Sequence, residues 1–192
     1  MKLDGPWATG YALERQHTVS SEFLGHDSLG HPQFDSKYSA LGELVYRLKN
    51  KGDKNAVDSI ADTAVQFIVA CWKPEFDLIV PMPPSRKREA YQPVIEIANA
   101  IGARLVKPVD VNAVSKIKET PQLKDVYDFS EREKLLRDAF RANCEIVRGR
   151  AILLVDDLYR SGATAMVVAQ SLLAGGATHV CMLAMTKTRT RR

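Results

Sequence analysis

Apolar positions recur along the chain with two different periods, and the switching between them sets the expected fold. Leu41, Leu44, Val45 and Leu48 are spaced for one face of a helix ending near Asn50-Lys51-Gly52. Val57, Ile60, Ala61, Ala64, Val65 and Ile68 continue the stripe on a second helix. Leu78, Ile79 and Val80 form a short uninterrupted run of buried-strand type, which Pro81, Pro83 and Pro84 close. A third helix is expected from about Glu89 to Ala100, with Tyr91, Val94, Ile95, Ala98 and Ile101 on one side and Gly102 as its stop, followed by a second strand in ARLVKPV. The polar, Lys-containing stretch from Asp110 to Phe129 is too loop-like for core and too long for an ordinary connection, which marks a flexible lid. Ser130 and Glu133 form a capping box ahead of Leu135, Leu136, Ala139 and Phe140. Short strands at Glu145 to Val147 and Ala151 to Val155, a helix from Gly162 and a last strand in HVCMLAMT complete the pattern.

Strands alternating with helices predict an α/β fold, a mostly parallel β-sheet flanked by helices and joined by right-handed crossovers. Ligands of such sheets bind beyond the carboxyl ends of the strands. The first 36 residues, rich in Gly, Ser, His and isolated aromatics, show little periodicity, so residues 1–36 are expected to be a small N-terminal extension or hood element, irregular or short-stranded, and residues 37–192 the core.

Composition narrows the class. A chain of 192 residues that is 45% hydrophobic supports one sizeable core. Its apolar runs are too short for a bilayer, and MKLDGPWATG has no signal-type apolar block, so no membrane insertion and cytoplasmic residence are expected. Cys71, Cys144 and Cys181 are widely separated and lack CxxC pairing, which favours buried, inert thiols. The 27 basic and 23 acidic residues leave a formal charge of +4, too mild to imply nucleic acid by itself. Basic residues do cluster locally, in SRKR at Ser85 to Arg88 and KTRTRR at Lys187 to Arg192.

The densest chemistry lies in AILLVDDLYRSGAT, Ala151 to Thr164. It reads as a buried strand ending abruptly at Asp156 and Asp157, then a small-residue turn, then a helix closed by Gly175-Gly176. Both carboxylates are expected to reach solvent at the ligand edge, where they can accept hydrogen bonds from vicinal hydroxyls or hold a hydrated Mg2+. RSGAT offers backbone N–H groups at a helix start and the hydroxyls of Ser161 and Thr164, a cradle for phosphate. A phosphorylated sugar satisfies both halves. Neither a P-loop nor a dinucleotide G-x-G-x-x-G motif is present.

ILLVDDLYRSGAT resembles the phosphoribosyl pyrophosphate signature of type I phosphoribosyltransferases, with Asp156, Asp157, Ser161, Gly162 and Thr164 at matching places. Arg160 and Ser161 stand where two threonines are common. LVYRLKNKGD, DLIVPMPPSRKREAYQPVIEIA and PQLKDVYDFSEREKLLRDAF, in that order, are similar to the competence protein F (ComF) branch, so the resemblance covers most of Leu41 to Met185. The four-cysteine zinc element that begins many members of that branch is missing, as no cysteine precedes Cys71, and His17, His26 and His31 do not by themselves make a metal site.

The resemblance implies Mg2+-dependent transfer of a 5-phosphoribosyl group between pyrophosphate and a nitrogenous base. The turn from Leu158, Tyr159, Arg160 and Ser161 through Gly162, Ala163 and Thr164 would hold the 5-phosphate, and Asp156 and Asp157 the ribose. Ser85, Arg86, Lys87 and Arg88 would hold pyrophosphate, with Arg86 acting on the leaving group. Mg2+ would arrive with the substrate and meet Asp156 or Asp157, without a fully protein-built metal site. Lys116, Lys118, Gln122, Lys124 and Arg132 are candidates for the lid or acceptor side. The alternative is a noncatalytic phosphoribosyl pyrophosphate- or nucleotide-binding accessory protein in DNA uptake or processing. Further partner candidates are weakly bound DNA, met by the basic runs with Trp7 and Tyr11 stacking on bases, and a second copy of the chain in a homodimer. Core or lid packing is the favoured place for both aromatics.

Overall fold

Ile152, Leu153, Leu154 and Val155 offer no polar face to water, so their strand has to be covered on both sides, and it sits inside a four-stranded sheet. The computed structural model describes residues 1–84, 91–118, 135–136 and 138–188. In chain order the elements are β1 (Thr9–Glu14), β2 (Thr18–His26), β3 (Pro32–Tyr38), α1 (Ala40–Tyr46), α2 (Ala56–Phe67), β4 (Leu78–Pro81), α3 (Pro93–Leu105), β5 (Val114–Lys116), β6 (Phe140–Ala142), α4 (Cys144–Val147), β7 (Ala151–Tyr159), α5 (Ala163–Ala174) and β8 (His179–Lys187). The central sheet has the order β1-β8-β7-β4, all parallel, as the alternating pattern predicts.

The pleat sorts the core into two layers. Ile152 and Leu154 of β7 join Val180 and Met182 of β8 against Val168, Ala169 and Leu172 of α5. Leu153 and Val155 join Leu183 and Met185 against Leu41 and Val45 of α1, Ile60 and Ala64 of α2, and Ile97 and Ile101 of α3. The stripes read from the sequence for the first two helices are therefore core faces. Each of these helices is prolonged by a wider π turn, Arg47–Lys51 after α1 and Ile68–Trp72 after α2. Ser39 caps α1 by accepting a hydrogen bond from Gly42 N at 3.1 Å.

Residues 1–36 supply β1, which pairs with β8, and most of the antiparallel β2–β3 hairpin, which carries the tilted Phe23–Phe34 pair at 5.5 Å. Trp7 is buried, its Nε1 donating to Leu3 O, and Tyr11 packs edge-on against Phe67 and Trp72. Both aromatics are committed to packing, not to stacking on bases.

Several local expectations are corrected. ARLVKPV is extended only at its end: α3 continues through Leu105, where Arg104 reaches Asp58 and Asp62 of α2 at 2.8 and 2.7 Å, and the strand expected here is reduced to a single parallel bridge between Val109 and Ile79 of β4. Gly102 is no stop but a point of close approach, where a side chain would meet Val109 Cγ2 at 2.4 Å. The described part of α3 begins at Pro93, and residues 85–90 lie outside the described residues. Of the expected lid, residues 119–129 lie outside the described residues, and residues 110–118 are partly core, with Ala113 and Val114 buried and β5 paired antiparallel to β6. Glu145 to Val147 is helical, not extended, because the Asn143 side chain accepts from Glu145 N and caps α4; the strand lies earlier, at Phe140–Ala142. Cys71 and Cys144 are exposed, and Cys181 alone is buried as expected. The capping-box residues Ser130 and Glu133 lie outside the described residues. No helix among the described residues is long and apolar enough to cross a membrane.

Candidate functional site

Parallel pairing puts the carboxyl ends of β4 and β7 at one edge. Pro81 is in register with Val155, and Met82 N donates to Val155 O at 2.8 Å, so the chain leaving β4 passes beside Asp156. The next segment would carry Ser85, Arg86, Lys87 and Arg88, which lie outside the described residues, as do Gln122, Lys124, Arg132, Arg189, Arg191 and Arg192. Lys116 is half-buried on β5 and Lys118 is exposed.

β7 does not end at the acidic pair. It runs on to Tyr159 because β8 continues beside it, with Asp156 opposite Ala184, Leu158 opposite Thr186 and Tyr159 opposite Lys187. Consecutive strand residues face opposite sides of a sheet, and the pair divides accordingly. Asp157 falls on the side of α1, where the following π turn brings Lys49 Nζ to 2.9 Å from Asp157 Oδ1. Asp156 falls on the side of α5, within the electrostatic reach of Tyr159. The expectation that both carboxylates reach solvent is corrected for Asp157, which is 8% exposed and ion-paired; Asp156 is half-buried.

This division makes the two acids unequal. Burial, then the neighbouring charge of Asp157, pushes the Asp156 carboxyl up to about 7, offset in part by Lys49 and by the backbone N–H groups of Asp157 and Leu158. Asp157 N donates to Asp156 Oδ1 at 2.9 Å. Among the described residues the ammonium paired with this acidic couple is Lys49, on Asp157, and the carboxyl of Asp156 suits hydroxyl donors or a cation as a further partner.

The turn after β7 is built around Gly162. Its φ of +85° is left-handed, and a side chain there would lie 2.0 Å from Tyr159 Oη. Tyr159 in turn packs edge-on against Trp7 at 6.3 Å, and its hydroxyl is pushed up to about 12 by burial, then by Asp4 and Asp156. Tyr159 and Ala163 have buried side chains and can serve a ligand only through their backbone, whereas Arg160 is exposed and Ser161 and Thr164 are half-buried. Gly162→Ala is expected to cost about 2–5 kcal/mol, from left-handed strain plus overpacking against Tyr159. For a chain of this size that lowers the melting temperature by roughly 5–15 °C; an unchanged melt would show that the turn is not set by this packing.

The sequence reading missed three residues of this edge: Lys49, Thr186 and His17. The Thr186 hydroxyl donates to Asp157 O at 3.2 Å, and His17 Nδ1 lies 3.1 Å from Thr186 Oγ1. The signal for Lys49 was the alternation Arg47, Lys49, Lys51 at the end of an apolar helical stripe, and for Thr186 a polar residue ending the run MLAM. His17 had no comparable sequence signal. Of the other two histidines of this region, His31 pairs with Asp27 at 3.3 Å and His26 stands edge-on to Phe23 at 5.2 Å.

No protein-family model matches the chain, and no curated protein matches it. Solved structures do. The glutamine phosphoribosylpyrophosphate amidotransferase of B. subtilis, complexed with ADP and GMP, superposes with a TM-score of 0.51 and 18% identity over 82% of this chain and 34% of that one. Adenine phosphoribosyltransferases from Leishmania donovani and from Thermoanaerobacter pseudethanolicus give TM-scores of 0.49 and 0.47 at 12% and 14% identity, covering 97% and 86% of this chain and 86% and 94% of theirs. The chain thus spans about a third of the amidotransferase's length. The fold is that of the type I phosphoribosyltransferases, a parallel α/β sheet flanked by helices.

Proposed function

We propose that the protein binds phosphoribosyl pyrophosphate and transfers its 5-phosphoribosyl group to a nitrogenous base, and that among proteins of this fold it stands nearest the competence protein F branch. The observation that carries the reading is a single strand-turn-helix unit joining two unequal carboxylates to a small-residue turn at the sheet edge it shares with β4. Asp156 and Asp157 accept hydrogen bonds from the ribose hydroxyls, and the Ser161 to Thr164 turn, at the start of the twelve-residue helix α5, takes the 5-phosphate. Arg86 with Ser85, Lys87 and Arg88 takes pyrophosphate.

Mg2+ fits as an ion carried by the substrate. Asp157 is engaged by Lys49, while Asp156, on the other face, offers a carboxylate suited to a hydrated cation. Among the described residues no three His, Cys, Asp or Glu side chains come together as an all-protein cage. When bound, Mg2+ neutralises charge on the pyrophosphate oxygens.

Titration calorimetry with phosphoribosyl pyrophosphate and Mg2+, followed by labelled pyrophosphate release across a panel of bases, tests the reading. Saturable binding and base-dependent release are expected. Binding without release favours the accessory nucleotide-binding role, and no binding overturns both. Salt-sensitive DNA binding through Arg189, Arg191 and Arg192 is a separate proposal, read by neutralising those three residues.

A further inference from the structure

His17 is held more firmly than a histidine in a connection between strands needs to be. Its backbone N–H donates to Lys187 O at 2.8 Å and its carbonyl accepts from Ser39 N at 3.2 Å. α1 approaches that carbonyl so closely that a side chain on Gly42 would lie 2.2 Å from it. The imidazole stands edge-on to Tyr38 at 5.3 Å, and Tyr38 is stacked on Tyr46 at 4.5 Å. The ring is therefore fixed from β8, from α1 and from the foot of the β2–β3 hairpin.

Thr186 has one hydroxyl proton to place between Asp157 O and His17 Nδ1, which lie 3.2 and 3.1 Å from its oxygen. Given to Asp157 O, it leaves Thr186 Oγ1 to accept from His17 Nδ1, and in that tautomer, the one that proton acceptance at Nε2 requires, Nδ1 carries the hydrogen and Nε2 the lone pair. The charged groups that act on the ring are Lys49, Asp157 and Arg160, with Tyr38 against its edge. Burial first, then Lys49, and to a smaller degree Arg160, hold the imidazole below its ordinary range against the opposing pull of Asp157, which leaves it neutral at pH 7.

The sheet order adds a direction. β4, which leads to the proposed pyrophosphate segment, flanks β7 on one side; β8, which holds His17 through Lys187 and Thr186, flanks it on the other. A displacement at the sugar carbon needs nucleophile and leaving group on opposite faces of that carbon; with pyrophosphate assigned beyond β4 in the function proposed above, the acceptor base is assigned to the β8 side as part of the same proposal. We propose that His17 Nε2 is the proton acceptor for the nitrogen nucleophile, an inference that rests on the function proposed above. The nitrogen lone pair forms the bond to C1 of the ribose as the C1–O bond breaks and its electron pair leaves with pyrophosphate. The proton shed by that nitrogen passes to Nε2, giving an imidazolium beside the Asp157 carboxylate with its Nδ1–H still on Thr186, and solvent later takes it up.

His17→Asn separates this role from a merely structural one, because its amide can replace the Nδ1–H donor to Thr186 but has nothing at Nε2. On the full-length protein, calorimetric affinity for phosphoribosyl pyrophosphate with Mg2+ is expected to stay within about threefold of wild type, while base-dependent pyrophosphate release falls about 100-fold or more. Wild-type turnover should decline at acidic pH as Nε2 protonates, with the limb lying below the ordinary imidazole range, and that limb should vanish in H17N. Nitrogen-15 NMR of the free wild-type protein should show the Nδ1–H tautomer at pH 7, a readout independent of turnover. Wild-type turnover in H17N, an Nε2–H tautomer, or a loss of binding as large as the loss of turnover would each overturn the proposal. A wild type that binds but releases no pyrophosphate with any base overturns the proton-acceptor role and leaves the binding reading standing, whereas a wild type that does not bind defeats that reading itself.

Discussion

Asp157→Asn is expected to weaken binding of phosphoribosyl pyrophosphate with Mg2+ by about 10- to 100-fold, the loss of one or two charge-assisted hydrogen bonds worth about 1.5–3 kcal/mol. The substitution nearly conserves volume and leaves the backbone carbonyl that Thr186 holds, so β7 and β8 keep their register. It does deprive Lys49 of its 2.9 Å partner. The Lys49 side chain is 30% exposed and can turn its ammonium toward water, so the cost in stability should stay near about 1 kcal/mol, well short of that for a fully buried pair. Affinity and stability therefore separate: calorimetric titration should change by more than tenfold while the melting temperature moves by only about 2–4 °C. Equal affinities in wild type and variant would remove Asp157 from the site.

The pair also explains why the sequence marked a candidate site but not its wiring. Asp156 and Asp157 are adjacent letters, and adjacency suggested a shared role at a strand exit. Strand pleating gives adjacent residues opposite faces, and only the continuation of β8 to Lys187 shows that the pleat still holds at that point. Lys49 lies 108 residues away from Asp157 in the chain, and His17 lies 169 from Thr186; no local period encodes either distance. The central strands and the helices flanking them were legible because burial imposes a period on them. β1 was not, since Tyr11 and Leu13 on one side and Gly10 and Ala12 on the other give a short, weakly patterned strand whose identity comes from pairing with β8. ARLVKPV was legible only at its end, where Val109 bridges to Ile79; its first three residues stay in α3, where Arg104 meets carboxylates on α2, and Val106 takes the left-handed cap. The lid was read from length and polarity alone, and those properties do not reveal that Val114 pairs with Ala142.

Asp156→Asn is expected to raise stability at pH 8 and to change it far less at pH 5. The folded chain holds the Asp156 proton up to about pH 7, whereas in the unfolded chain it leaves near 3.8. Between those values the folded state binds more protons, so the stability contribution of this group is fully present below the lower value, declines as pH rises and is gone above about 7. Taken at face value the difference corresponds to about 4 kcal/mol. Asp156 keeps part of its surface in water, and solvent screening trims the effect to about 1–2 kcal/mol. An amide has no charge to desolvate, so D156N should melt about 3–6 °C above wild type at pH 8, the gap shrinking toward pH 5. His17 pulls the other way, being held below its ordinary range and so costing stability as pH falls through it, but it is present in both proteins and cancels in the difference. A gap independent of pH would mean that Asp156 is not protonated near neutrality. The same carboxylate should repay its cost on binding: phosphoribosyl pyrophosphate with Mg2+ is expected to raise the melting temperature of wild type at pH 8 by more than that of D156N, because the ligand's hydroxyls and cation reward a charge that the free protein holds at a loss.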